Sequence, residues 1–109
     1  MAQYRTQAKI IADILVTARD SNSGGEGVGI TLLLRKGNVS YSRMIKLITD
    51  LVGAGLLVEE NIDRISKYKI SDKGLSFLQV YGQFEGFANS FGLAVDLKEA
   101  QTLVAYLVL

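Results

Sequence analysis

The chain has 109 residues, 49% hydrophobic and 21% charged, with 12 Lys and Arg set against 11 Asp and Glu for a net charge of +1. That length supports one compact domain with a short appendage. With no cysteine and no histidine, a zinc finger, a soft-metal site, a disulfide scaffold and a Cys–His catalytic pair are excluded, and only a carboxylate site for a hard cation is left open.

No charged leader runs into an unbroken apolar segment after Met1, and no apolar stretch reaches the ~18 to 20 residues that span a bilayer. The expected location is cytoplasmic and nucleoid-associated, with no membrane partner. Ala8, Ile11, Ala12, Ile14, Leu15 and Ala18, three and four apart, predict an amphipathic first helix over residues 4–19. Asp20-Ser-Asn-Ser-Gly-Gly-Glu-Gly27 ends it and reads as a flexible connector. It lacks both the Gly-Lys-Ser/Thr ending and the preceding strand of a phosphate loop.

Ile30 to Arg35 is too short for periodicity to separate a buried strand from a two-turn helix. Ser40 is the expected N-cap of a longer helix with Val39, Met44, Leu47, Ile48, Leu51 and Val52 inward, and Ser42, Arg43, Lys46, Thr49 and Asp50 mostly outward. Gly53 and Gly55 close it, the second suited to a left-handed cap. A hairpin follows, with Leu56–Glu60 going out, Asn61–Lys67 as the loop and Tyr68–Ile70 returning. Ser71 caps the next helix, in which Leu75, Leu78, Tyr81, Phe84, Ala88 and Phe91 lie at helical spacing while Gly82, Gly86 and Gly92 weaken it. Asp96 and Glu99 resemble a capping box that opens a last helix.

The fold class read from this order is mainly α with a small β-hairpin, a winged helix-turn-helix with additional C-terminal helices. Charge follows the same division. Residues 27–49 hold Arg35, Lys36, Arg43 and Lys46 and no acid, a balance of +4; residues 64–73 hold Arg64, Lys67, Lys69 and Lys73 against Asp72, a balance of +3. Residues 50–63 hold Asp50, Glu59, Glu60 and Asp63 with no base. Positive charge concentrated on the third helix and the hairpin favours duplex phosphates. The DNA-binding residues expected on this ground are Arg35, Lys36, Ser40, Tyr41, Ser42, Arg43, Lys46, Arg64, Lys67 and Lys69, with about four to six phosphate contacts per subunit and strong salt dependence.

The run Asn38-Val-Ser-Tyr41, then Met44, Ile48, Leu51 and Gly55-Leu-Leu57, then Tyr68-Lys-Ile-Ser-Asp-Lys-Gly74 and Phe77-Leu78, resembles the small archaeal winged-helix DNA-binding proteins. That group includes transcriptional regulators and the ten-kilodalton chromatin-type proteins of Sulfolobus. The likeness covers about residues 5–82. It implies double-stranded DNA binding without a cofactor, by a homodimer paired through its C-terminal helix. The Ser-Asn-Ser-Gly-Gly-Glu-Gly insertion and the glycine-broken tail depart from the family pattern.

The chain thus divides into a winged helix-turn-helix domain over 1–82 and a C-terminal dimerisation segment over 83–109. Leu93, Leu97, Ala100, Val104 and Leu107 recur at helical spacing, while Leu103, Val108 and Leu109 add apolar groups on further faces, so the tail must be covered. Phe84, Phe87, Phe91, Leu103, Tyr106 and Leu107 are the expected subunit interface; the alternative is a last helix folded back on its own domain. Catalysis is not expected: no histidine is available as an acid/base, and adjacent Glu59 and Glu60 on a strand face opposite ways. Two alternatives to a homodimeric regulator are a protein-interaction module that does not bind DNA and a nonspecific architectural protein. Tyr41, Tyr81 and Phe84 suit an effector pocket, but core positions explain them better.

Overall fold

The computed structural model describes residues 5–90. Helix α1 is Gln7–Asp20, and Thr6 accepts the Lys9 N–H at 3.1 Å as its N-cap. It starts three residues later than its apolar spacing alone predicts, because Thr6 stands just before it in extended conformation. Ala8, Ile10, Ala12, Ile14, Leu15 and Ala18 are its buried residues; the alanines let neighbouring elements approach closely.

The connector is built rather than free, contrary to the sequence reading. Ser23–Gly25 makes a short 3-10 turn, and the Asn22 side-chain oxygen accepts the Gly27 N–H at 2.7 Å. Val28 then forms an antiparallel bridge with Tyr68. Gly27 is required here: it has φ +89°, and a Cβ on it would lie 2.7 Å from the Tyr68 carbonyl oxygen.

Ile30–Gly37 is helix α2, which settles the open choice between strand and helix. The polar Thr31, Arg35 and Lys36 are exposed while Leu33 is fully buried, the one-sided burial of a surface helix. Asn38 ends it in the left-handed region at φ 54°. Helix α3 is Tyr41–Gly53, capped by Ser40, whose hydroxyl accepts the Arg43 N–H at 3.3 Å. It buries Met44, Leu47, Ile48 and Leu51, and Gly55 takes the left-handed position after it at φ +80°.

Strands β1 (Leu57–Ile62) and β2 (Ile65–Ile70) pair antiparallel from Leu57 opposite Ile70 to Ile62 opposite Ile65. The predicted seven-residue loop is in fact a two-residue turn. Asp63 and Arg64 both have positive φ, 52° and 68°, the sense that matches the strands' right-handed twist. Lys67 therefore stands in a strand, not a loop.

Helix α4 is Asp72–Ser90 and runs without a break through Gly82 and Gly86. Ser71 caps it, accepting the Gly74 N–H at 3.0 Å and donating to the Gly55 carbonyl at 2.6 Å. The inward face agrees with the predicted one at Tyr81 and Ala88, with Leu78 and Phe84 partly buried against the core, and differs at Leu75. Gly74, Phe77, Tyr81 and Ala88 are buried, whereas Leu75 is 41% exposed. Gly74 sits so close to the Leu56 carbonyl and Ile70 that α4 must present this face there, which rotates Leu75 outward.

The core collects Ile14, Leu15, Leu33, Met44 and Leu57 as its most completely buried large side chains, one or two from each of α1, α2, α3 and β1, and no polar or charged residue is buried with them among the described residues. Each such side chain contributes about 1.5 to 3 kcal/mol. This core fixes the outward directions of α3 and the hairpin.

Candidate nucleic-acid interface

A cation is useful to a polyanion only if it is not already neutralised by its own chain. Among the described residues, Arg5 and Lys9 pair with Asp13 at 2.8 and 3.3 Å, and Arg19 pairs with Asp20 at 2.7 Å. Lys69 pairs with Glu60 at 3.4 Å, and the Lys73 ammonium donates to the Ala54 carbonyl at 3.0 Å. Arg35, Lys36, Arg43, Lys46, Arg64 and Lys67 make no ion pair with any described residue. All six stand on α2, α3 and the hairpin.

Their positions follow from local structure. Arg35 and Lys36 fall in the last turn of α2, where carbonyls without helical partners favour cations. Arg43 and Lys46 are three residues apart on the exposed side of α3, since the core takes Met44, Leu47 and Ile48. Tyr41 and Ser42 are also exposed in its first turn, Tyr41 by 62%. The Ser40 hydroxyl is occupied as a helix cap. Arg64 stands at the tip of the hairpin. Lys67 lies over Gly29, so near that a Cβ there would be 3.8 Å from its ammonium.

Of the ten residues expected to contact DNA, nine are thus exposed or partly exposed side chains with no structural duty that removes them, or, as with Lys69, only a surface ion pair. Exposed pairs of that kind are worth about 0 to 1 kcal/mol and yield readily to a phosphate. Lys73 keeps its charge but is held at the end of α3 by the Ala54 carbonyl. In β2, the Tyr68 hydroxyl is held above its ordinary pKa by burial and then by the Glu59 carboxylate, with Tyr41 a smaller contributor.

Sequence reasoning missed two positioning features. The Val28–Tyr68 bridge holds the hairpin to the connector, and its trace in the sequence is an apolar residue between two glycines. Arg5 reaches the α2–α3 turn, and nothing local signals that. Of the expected interface residues, Phe84 is half-buried against the core and Phe87 is 64% exposed. Phe91, Leu103, Tyr106 and Leu107, and the predicted last helix, lie outside the described residues. Tyr81 is buried, stacks on Phe77 with ring centroids 6.1 Å apart and donates to Glu85 at 3.1 Å, as a core residue would. No described helix is long and apolar enough to cross a membrane.

The order of three helices, hairpin and fourth helix has counterparts among known proteins. The crystal structure of Sso10a-2, a DNA-binding protein from Sulfolobus solfataricus, matches with a TM-score of 0.67 and 22% identity over 96% of this chain and 98% of that chain, a likeness of fold. No curated protein matches the sequence. The winged helix-turn-helix family matches residues 4–89, and with a Sulfolobus protein of the same fold beside it, the resemblance seen in the sequence to small archaeal winged-helix proteins holds. Neither match is to an enzyme. With that family spanning nearly all of the described fold, from α1 to the end of α4, the chain belongs to the winged helix-turn-helix family.

Proposed function

We propose that this protein binds double-stranded DNA as a homodimeric transcriptional regulator, with α3 in the major groove and the hairpin on the sugar–phosphate backbone, and that it is not an enzyme. The observation that carries the reading is the sorting of cations among the described residues: Arg5, Lys9 and Arg19, in and just before α1, each lie against an acid, whereas six cations that pair with no described acid stand on α2, α3 and the hairpin. Family membership and the DNA-binding character of Sso10a-2 support it.

In this reading Arg35, Lys36, Arg64 and Lys67 engage phosphates, with Lys69 released from Glu60 to join them. Tyr41, Ser42, Arg43 and Lys46 meet base edges or the groove walls, Arg being the residue suited to guanine O6 and N7. Residues 83–109 form the dimerisation segment, with Phe84, Phe87, Phe91, Leu103, Tyr106 and Leu107 at the subunit contact. The protein works at the nucleoid.

The test is a fluorescence-anisotropy titration of the full chain against random-sequence duplex at several salt concentrations. Binding should weaken steeply with salt; replacing Arg35 and Lys36 together by Ala should lower the slope of log K against log salt by about two, and replacing Arg43 and Lys46 by Ala should weaken binding and relax sequence preference. Arg19→Ala, which removes a cation already paired with Asp20, should change neither quantity. No detectable binding at low salt would overturn the reading. Selection of bound duplexes from a random pool, with the mass of the complex measured in parallel, separates a sequence-specific regulator from an architectural protein.

A further inference from the structure

The last carbonyls of a helix have no partner within the helix and must find donors elsewhere. At the end of α1 the Ser21 N–H returns to Thr17, and at the end of α3 the Ala54 N–H returns to Asp50. Helix α2 is closed differently. Its final carbonyl, Gly37, accepts from one terminal nitrogen of Arg5, which also lies 3.4 Å from the Asn38 carbonyl. The other terminal nitrogen of Arg5 donates to Asp13 at 2.8 Å. The second oxygen of Asp13 is held by Lys9 at 3.3 Å, so the carboxylate is fixed on both sides.

The guanidinium therefore ties α1 to the turn between α2 and α3. That turn has little room to adjust: Asn38 is left-handed, and a Cβ on buried Gly37 would lie 2.6 Å from the end of Met44 in α3. Ser40, the cap of α3, is two residues after Asn38.

We propose that Arg5 is a positioning residue for α3: through the Gly37 and Asn38 carbonyls it sets how the third helix leaves the body of the domain, and so how its outward face meets a ligand. This deepens the DNA-binding reading and rests on it for the ligand, though the positioning is observable without one. The role needs a planar group that serves a carboxylate and a carbonyl at once. A lysine ammonium, a compact charge on a flexible stem, does not reproduce that fork. Arg5 itself is engaged with the Asp13 carboxylate, which it shares with Lys9, and is assigned no phosphate.

The test compares the full chain with its Arg5→Ala, Arg5→Lys and Asp13→Asn variants by amide hydrogen exchange and by duplex anisotropy. Loss of a charge-assisted bond at a helix end should speed exchange of residues 43–46 by about tenfold in Arg5→Ala, leaving residues 77–81 of α4 near the wild-type rate. Asp13→Asn should show a smaller effect in the same place. Duplex affinity of Arg5→Ala should fall severalfold at every salt concentration with the salt slope unchanged. Should Arg5→Ala fail to fold, Arg5→Lys, which keeps the charge, carries the same comparison. Unchanged exchange at residues 43–46, or loosening spread equally over all helices, overturns the proposal, as does a salt slope lowered by about one, which would make Arg5 a phosphate contact. If the wild-type chain binds no duplex, the DNA reading fails while the exchange pattern still decides the role of Arg5.

Discussion

Val28 and Tyr68 exchange both of their backbone hydrogen bonds, 2.9 Å from the Val28 N–H to the Tyr68 carbonyl and 2.8 Å in the reverse direction. Both residues are buried. The bridge flanks the two-stranded sheet, so that β2 has β1 on one side and the connector at Val28 on the other, and a two-stranded hairpin is only marginally stable without such support. It also sets the hairpin's position relative to α2, which starts two residues after Val28.

Gly27→Ala should break that arrangement. The added Cβ meets the Tyr68 carbonyl in a backbone conformation that side chains rarely adopt, so a loss of about 2 kcal/mol is expected from strain and displaced hydrogen bonds. Urea unfolding followed by circular dichroism measures it. An unchanged midpoint would show that the bridge contributes nothing.

Two glycines of α4 should respond in opposite directions. Gly74→Ala forces a methyl group into the Leu56 carbonyl and Ile70 and should cost about 2 to 3 kcal/mol. Gly82→Ala meets nothing within 4 Å on an exposed helix position and should stabilise by up to about 1 kcal/mol. Thermal melts of the two variants beside the parent check both signs.

The tip of the hairpin trades stability against charge. Arg64 holds φ 68°, a conformation that suits glycine, and Asp-Gly is the favoured pair for this turn. Arg64→Gly should therefore stabilise the fold by about 0.5 to 1 kcal/mol. On the proposed function it should also weaken duplex binding and lower the salt slope by about one. Chemical denaturation and anisotropy on the same preparation read the two effects separately.

Tyr81 gives a pH dependence with a defined sign. Its hydroxyl is pushed from 10.0 up to about 12, first by burial and then by its hydrogen bond to the Glu85 carboxylate and that group's charge. The folded state holds this proton more tightly than the unfolded chain does. Its contribution is complete below pH 10 and is lost as pH rises from about 10 to about 12. Tyr81→Phe should flatten the fall of stability in that window, and Glu85→Gln should lower the Tyr81 pKa, read from phenolate absorbance. A wild-type Tyr81 that ionises near 10 would contradict this.

Much of the fold was legible because it is written locally. Ser40 and Ser71 stand just before apolar runs and cap the helices they precede, and Gly55 takes the left-handed position after α3. The buried side of α3 follows directly from Met44, Leu47, Ile48 and Leu51. The strand lengths were underestimated because Asn61 and Lys67 are poor strand formers; pairing across the ladder, which a single strand's composition does not reveal, extends β1 and β2 to the two-residue turn.

By itself the sequence determined the order of the elements, the absence of thiol and imidazole chemistry, and the segments on which positive charge collects. These depend on residue identity and near-neighbour spacing. Tertiary structure alone decided that Ile30–Gly37 is a helix, that Gly74 rather than Leu75 faces inward, and that Val28 and Arg5 hold the hairpin and the α2–α3 turn. It also decided which cations are free, because an ion pair such as Lys69–Glu60 or a carbonyl contact such as Lys73–Ala54 forms only when packing brings distant groups together. The near-zero net charge of the chain conceals that division, since a sum over residues carries no information about which charges the fold has already paired.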